Sequence, residues 1–194
     1  MKKILGTTAF PIFCILLSFF VLTTDSRFTY SLLEQNESIQ PTKELMNYFV
    51  SKGQIPEAFN EEEKSHLQDV KQLIKFGLIT LLITLMALIY CSSEWKKTIR
   101  YGTIALSAIL AAGFIIPFNT LFTRFHYIFF PQGNWAFPPE STLISYYPAN
   151  FFATYALAIG IFAFLIALFC NLSIEILNLN FFKPIKKKIV SRKG

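Results

Sequence analysis

Asn60-Glu61-Glu62-Glu63-Lys64-Ser65-His66-Leu67-Gln68-Asp69-Val70 leads, past Lys71 and Gln72, into an apolar run over 73–92. Asn60 with Glu63 three residues later has the form of a capping box. The three glutamates suit the positive end of a helix. The helical pattern passes without a breaker from these polar turns into the apolar run. The spacing predicts one long helix whose first two or three turns stand above a membrane. Within it His66, Asp69, Val70 and Leu73 fall on a shared face.

Three further runs match the first in length and character, over 4–24, 103–123 and 151–172. Each is long enough to cross about 30 Å of hydrocarbon as a helix. The composition agrees. Of the 194 residues 53% are hydrophobic, 15% are charged and 22 are Phe, with a mean hydropathy of +0.45. A soluble domain carries about 25% charged residues, and no single core could hide this much apolar surface. Disorder is excluded for the same reason. The runs lack the alternation a barrel needs, whereas helices satisfy their own backbone groups in lipid. The expected fold is therefore all-α: a polytopic four-transmembrane-helix bundle forming one membrane domain over 1–194. The first run follows Met1-Lys2-Lys3 in the manner of a signal peptide. Its end, Val21-Leu22-Thr23-Thr24, lacks a small-x-small cleavage pattern, so it reads as an uncleaved anchor.

The basic residues set the expected orientation. Lys2 and Lys3 precede the first span. Lys96, Lys97 and Arg100 lie between the second and third. Lys183, Lys186, Lys187, Lys188, Arg192 and Lys193 follow the fourth. These eleven of the 18 Lys and Arg residues fall on one side of four spans, and the positive-inside rule makes that side cytoplasmic. The topology reads N-in and C-in, with 25–71 and 124–150 extracytoplasmic. The first outer segment is net acidic, nine Asp or Glu against five Lys or Arg. Despite a net charge of +6, no basic tract is interleaved with stacking aromatics, so nucleic acid is not an expected partner. Cys14, Cys91 and Cys170 all sit in or at the ends of apolar runs. That pattern argues against a disulfide framework or a thiolate zinc site.

Specific chemistry must then lie in the outer segments. The first is expected to be partly helical, opening at Pro41-Thr42 with Leu45, Met46 and Phe49 on one face and ending before Gly53 and Pro56. The second is aromatic: Arg124-Phe125-His126-Tyr127-Ile128-Phe129-Phe130-Pro131-Gln132-Gly133-Asn134-Trp135. Pro131, Gly133 and Pro138-Pro139 predict a folded loop near the headgroups. The chain's two histidines, His66 and His126, both fall at this interface, within about 10 Å of the hydrocarbon boundary at 1.5 Å per helical residue. Imidazole can take up and return a proton near neutral pH; equally, each ring can serve only as a hydrogen bonder at a helix end. Two histidines with Asp69 or a glutamate could ligate zinc, but HExxH or a comparable spacing is absent, and neither metal nor cofactor is expected.

The pattern Phe59…Glu62-x3-His66-x2-Asp69-Val70-Lys71 resembles the lipoprotein intramolecular transacylase family, Lit, of bacterial integral membrane proteins. So does Arg124-Phe125-His126-x2-Phe129-Phe130-Pro131-x2-Asn134-Trp135. The resemblance covers nearly the whole chain. It implies an enzyme of the bacterial cytoplasmic membrane, with its site at the extracytoplasmic face. Its substrates would be diacylated lipoproteins, held among membrane lipids. The implied reaction moves the sn-2 acyl chain of the diacylglyceryl-cysteine to the cysteine α-amine, giving a lyso-form lipoprotein. The amine reaches the sn-2 carbonyl through an eight-membered ring, so direct attack is possible if the substrate is held folded. One histidine, His66 or His126, would take the amine proton and the other would supply the departing glycerol oxygen. Arg124 or the Asn134 amide could stabilise the oxyanion, with Trp135 in support, and Asp69 could orient His66. A covalent serine is disfavoured, since no GxSxG-like elbow surrounds Ser65, Ser141 or Ser145. The rival reading is a non-catalytic membrane adaptor that binds lipid or lipoprotein.

Orientation is directly testable. A single cysteine introduced by Asn60→Cys or Gly133→Cys should react with an impermeant reagent in intact cells, and one introduced by Lys97→Cys should not. Labelling at position 97 from outside would overturn the topology.

Overall fold

A computed structural model describes the backbone of residues 1–190 and the side chains of residues 1–176. Its regular elements are helices: α1 (Lys2–Thr24), α2 (Ser26–Ser31), α3 (Ile39–Phe49), α4 (Glu61–Tyr90), α5 (Trp95–Ile115), α6 (Phe118–Phe129), α7 (Thr142–Tyr146) and α8 (Ala149–Val190). Short 3-10 turns at Asn36–Ser38 and Ser92–Glu94 join some of them. Among the described residues, four stretches are long and apolar enough to cross a membrane: Lys2–Thr24, Glu61–Tyr90, Ser92–Ile115 and Ala149–Ile176.

The capping box forms as the sequence predicts: Glu63 N–H donates to Asn60 Oδ1 at 2.9 Å and Asn60 N–H donates to Glu63 Oε2 at 2.9 Å. From it α4 continues unbroken into the second apolar run. The third run departs from expectation. It is not one helix over 103–123 but two, because α5 ends at Ile115 and α6 begins at Phe118. Pro117 is the cause: it has no N–H to give, and its ring drives Ile116 out of the helical region, to ψ 129°. The lysine-rich strip from Lys183 to Lys193 lies outside the residues whose side chains are described.

Helix α1 is the centre of the bundle and packs against α4, α5 and α8. Phe10 and Cys14 of α1 meet Leu106 of α5 and Ala163 and Ala167 of α8, all buried. Gly102 lets α1 and α5 approach closely, since a Cβ there would stand 2.7 Å from Phe10 Cδ1. The outward faces are apolar, with Phe76, Ile79, Leu82, Ile83 and Met86 of α4 all exposed. A continuous apolar face of this size suits lipid and not water. At one end Lys2 and Lys3 lie over the rings of Tyr90 and Tyr101, and Cys91 Sγ donates to the Lys2 carbonyl. That end therefore gathers the first two basic clusters.

The opposite end carries both long connecting segments, folded into a small cap with its own core. Leu45, Phe59, Leu67, Leu143, Tyr147 and Phe151 are buried together there. Polar contacts fasten its parts: Thr42 Oγ1 and Tyr147 Oη lie 2.8 Å apart, and Lys71 Nζ sits 3.8 Å from the centre of the Tyr48 ring. Helix α3 is the expected helix of the first segment, starting two residues before Pro41 and burying Leu45.

The close approach of α1 and α5 makes Gly102→Ala a test of the bundle. Overpacking of this kind costs about 1–3 kcal/mol, so the variant should melt several degrees lower in detergent. Gly113→Ala, where nothing lies within 4 Å of an added Cβ, should leave melting unchanged. Equal melting of both would show that α1 yields at no cost.

Candidate active site

His66 occupies the second turn of α4, ahead of the apolar stretch, and His126 the last turn of α6. Both are buried, at 5% and 8% exposure. The fold stacks their rings with centroids 6.0 Å apart and an interplanar angle of 29°. Two histidines separated by 60 residues, one on α4 and one on α6, thus form one pair. Aromatic rings enclose it. Phe130 and Phe137 stand 4.8 and 5.7 Å from His66, and Phe122 and Trp135 stand 4.2 and 4.9 Å from His126.

The two rings differ in their bonding. His126 Nδ1 lies 2.7 Å from the Phe122 carbonyl one turn earlier. A carbonyl only accepts, so Nδ1 carries the proton and Nε2 presents its lone pair. His66 Nδ1 is buried and has no hydrogen-bond partner within the protein. Burial in the aromatic cage, with the proximity of His126, lowers the His66 pKa to about 4 although Asp69 pulls the other way. Burial likewise lowers His126 below the usual histidine range, against the upward pull of the Phe122 carbonyl. Both rings are therefore neutral at pH 7 and able to accept a proton.

The remaining sequence candidates fall differently from expectation. Asp69 does not reach His66. Its Oδ2 instead accepts from Asn134 Nδ2 at 2.7 Å and from Gln132 Nε2 at 2.8 Å. Residues three apart on a helix share a face, but here the aspartate turns to the loop that covers the site. Asn134 donates further to Ser65 Oγ at 3.4 Å, so its amide nitrogen is occupied and not free for an oxyanion. Its carbonyl Oδ1 and the Trp135 Nε1 are buried without partners. Arg124 is exposed and sits two residues before His126, roughly 200° away around α6 at 3.6 residues per turn. It faces away from the pair.

Gly133 makes the covering loop possible. Its φ of +82°, at a turn closed by Gly133 N–H to the Phe130 carbonyl, brings Asn134 back over α4 and Trp135 back over His126. Two contributors went unnoticed in the sequence. Gln132 shares Asp69 with Asn134. Glu63, with no exposed surface, accepts from Leu143 N–H on its second oxygen at 2.7 Å and so ties the start of α7 to the turn below His66. A capping-box glutamate uses one oxygen on its own cap, and the spare oxygen was the signal available.

The lowered histidines have a consequence for stability. A His whose folded pKa lies below its unfolded value favours folding fully above about pH 6.5, and that contribution is lost as pH falls towards the folded value. The melting temperature in detergent should therefore fall between pH 7 and pH 5. His66→Gln, which cannot charge, should flatten the decline. An unchanged pH slope in that variant would show that His66 is not buried in the neutral form.

The family model described as lipoprotein intramolecular transacylase Lit matches residues 4–152. Among solved structures, the chain is similar to the membrane integral lipoprotein intramolecular transacylase Lit from Bacillus cereus. The TM-score is 0.72 at 17% identity, covering 97% of this chain and 96% of that chain. Two forms of the same Bacillus cereus protein with one histidine substituted give TM-scores of 0.71 and 0.66, at 19% and 17% identity. They cover 98% and 97% of this chain and 93% and 94% of theirs. No curated protein matches by sequence. At such identities the structures speak for the fold of a multi-pass membrane protein. The family match spans most of the sequence, and with it the chain belongs to the lipoprotein intramolecular transacylase family, Lit.

Proposed function

We propose that this protein transfers the sn-2 acyl chain of a diacylglyceryl-cysteine lipoprotein to the cysteine α-amine, at the outer face of the bacterial cytoplasmic membrane. The observation that carries the reading is the pair of buried, stacked histidines within one aromatic enclosure at a helix-bundle end. The outward orientation is supported by Lys2, Lys3, Lys96, Lys97 and Arg100 at the other end of the bundle.

The bonding of the two rings suggests their roles. The substrate enters as an ammonium with a pKa of about 8. His126 Nε2 takes one proton, and the resulting cation is held by the Phe122 carbonyl on Nδ1. The free amine attacks the sn-2 carbonyl carbon, and a C–N bond forms. The nitrogen then passes its second proton to His66, which has no competing partner on its buried Nδ1. As the C–O bond to glycerol breaks, His126 returns its proton to the glycerol oxygen. The products are an amide and an alcohol, and His66, a weak base in this setting, releases the remaining proton. Burial keeps both imidazoles unprotonated until the substrate supplies its proton. A dry enclosure also excludes the water that would hydrolyse the ester.

A non-catalytic adaptor would need the same pocket only as a packing surface. His66→Ala and His126→Ala separate the two readings. Each acid or base step is worth about 10²- to 10⁴-fold, so each variant should nearly abolish the lyso-form product while remaining in the membrane. If the two act in one transfer, the double variant should be little worse than the worse single. The measurement is mass spectrometry of lipoprotein N-termini at matched protein levels. Product at near wild-type rate from either variant would reduce that histidine to a structural hydrogen bonder.

A further inference from the structure

Among the described residues, five buried side-chain polar atoms have no hydrogen-bond partner within the protein: Thr7 Oγ1, His66 Nδ1, Thr98 Oγ1, Asn134 Oδ1 and Trp135 Nε1. The two threonines belong to the bundle between α1 and α5. Of the other three, one belongs to the histidine pair and two to the loop that covers it. A buried unpaired donor or acceptor costs about 1–3 kcal/mol, so three in one place call for an occupant that repays them. His66 already has a proposed task. Asn134 and Trp135 are adjacent in sequence yet leave opposite kinds of atom unpaired, one that only accepts and one that only donates.

The orientation of the Asn134 amide follows from its partner. Asp69 is a carboxylate and can only accept, so the group facing it at 2.7 Å must be the amide nitrogen. With the nitrogen taken up by Asp69 and Ser65, Oδ1 is fixed on the other side and cannot exchange places with it. Gln132 accompanies Asn134 on the same carboxylate oxygen and holds that oxygen in place. Trp135 is fixed by its ring, packed 4.9 Å from His126 and 5.3 Å edge-on to Tyr127. The two unpaired atoms therefore flank the histidines. Asn134 is held against the turn of α4 that carries His66, and Trp135 lies against His126 itself.

We propose that Asn134 Oδ1 and Trp135 Nε1 are the two fixed recognition atoms of the site: Oδ1 accepts a hydrogen bond from the substrate's α-ammonium, and Nε1–H donates to the oxygen of the ester carbonyl. This rests on the transacylase reading. The assignment matches each orphan to the substrate group of opposite character. An ammonium is all donors and an ester carbonyl only accepts. As the C–N bond forms, the carbonyl electron pair moves to the oxygen, and the Trp135 N–H strengthens its bond to that developing charge without giving up its proton. When the C–O bond to glycerol breaks, the electron pair re-forms the carbonyl, and the C–O pair leaves on the glycerol oxygen, which takes its proton from His126. The amine meanwhile has become an amide with a single N–H and no charge, so Asn134 holds product less firmly than substrate. Asp69 is then a positioning residue that acts through the Asn134 amide.

The test uses full-length protein in nanodiscs with a synthetic diacylated lipopeptide, and with its sn-2 ether analogue, which keeps the ammonium but has no carbonyl to attack. Trp135→Phe should lower kcat about 100-fold, the loss typical of one oxyanion donor, and should bind the ether analogue as wild type does. Asn134→Ala should bind the ether analogue about ten-fold more weakly, the equivalent of one hydrogen bond to a charged group. That difference should vanish when the analogue's amine is acetylated. Asp69→Asn should weaken ether binding in the wild-type background and add nothing to Asn134→Ala, since the two act through one amide. Should Trp135→Phe fail to fold, 3-benzothienylalanine at position 135 in a Trp95→Phe background keeps the shape and removes only the N–H. Both kcat and ether binding within three-fold of wild type across these variants, with product still formed, would overturn the assignment and leave the reaction standing. Absence of product from wild type, with ether binding still dependent on Asn134 and on the free amine, would overturn the reaction and leave Asn134 as an ammonium site.

Discussion

The capped end of this protein, opposite Lys2 and Lys3, is anchored by one buried carboxylate. Glu63 has no exposed surface, and its two oxygens receive the backbone N–H of Asn60 and of Leu143. The first closes the cap of α4; the second pins the start of α7. A buried carboxylate is stable only when its oxygens are satisfied, and breaking such an arrangement by removing one partner leaves a charge without compensation. Here both partners are backbone donors at helix N-termini, where a negative charge is favoured. Alongside the Thr42–Tyr147 and Asp69–Asn134 bonds, the contact therefore ties the two segments of the cap together. One of these carries His66 and the other carries the loop that follows His126. The two segments also share an apolar core of Leu45, Phe59, Leu67, Leu143, Tyr147 and Phe151.

The two ends of the bundle are held by different physics. Near the basic end, small residues allow backbones to approach, as at Gly102 against Phe10, which is the way helices associate in lipid, where no hydrophobic force drives them together. At the outer end, carboxylates, amides and hydroxyls link loops that water can reach. The site lies where these regimes meet. Its aromatic rings pack around the two histidines, and its polar atoms come from the first turns of α4 and the loop after α6.

Much of this was legible in the sequence, because the deciding signals were local. The lengths of the apolar runs, the Asn60–Glu63 cap and the breakers at Gly53 and Pro56 each depend on a few consecutive residues. That His66 and His126 share an end of the bundle followed from counting spans. What was not legible depended on how the loop after α6 folds back. Asp69 shares a face with His66, and spacing alone suggested a partnership. Only the turn at Gly133 reveals that Asn134 and Gln132 claim the carboxylate first. Arg124 is close to His126 along the chain, but residues two apart on a helix point in opposite directions, so closeness in sequence does not bring the guanidinium to the pair. Pro117 was visible in the sequence, but the hydrophobicity of its surroundings concealed a helix end.

The electrostatic character of the site follows from the same arrangement. An ordinary histidine at an interface would be partly charged near neutrality and would repel an incoming ammonium. Here the rings are packed among Phe and Trp side chains, and the Asp69 carboxylate bonds two amides and not His66. Desolvation consequently outweighs attraction, and both imidazoles stay neutral. The Asp69 charge is not wasted, since it lies close enough to favour a cation without neutralising it through a direct bond. A site of two neutral bases with a carboxylate one amide away is suited to receive an ammonium and then to strip it. A direct Asp69–His66 bond would instead have raised the pKa of that ring and held a proton where a vacant lone pair is required. The departure from the expected Asp–His contact is thus what lets a buried pair act on an amine near neutral pH under the proposed reaction.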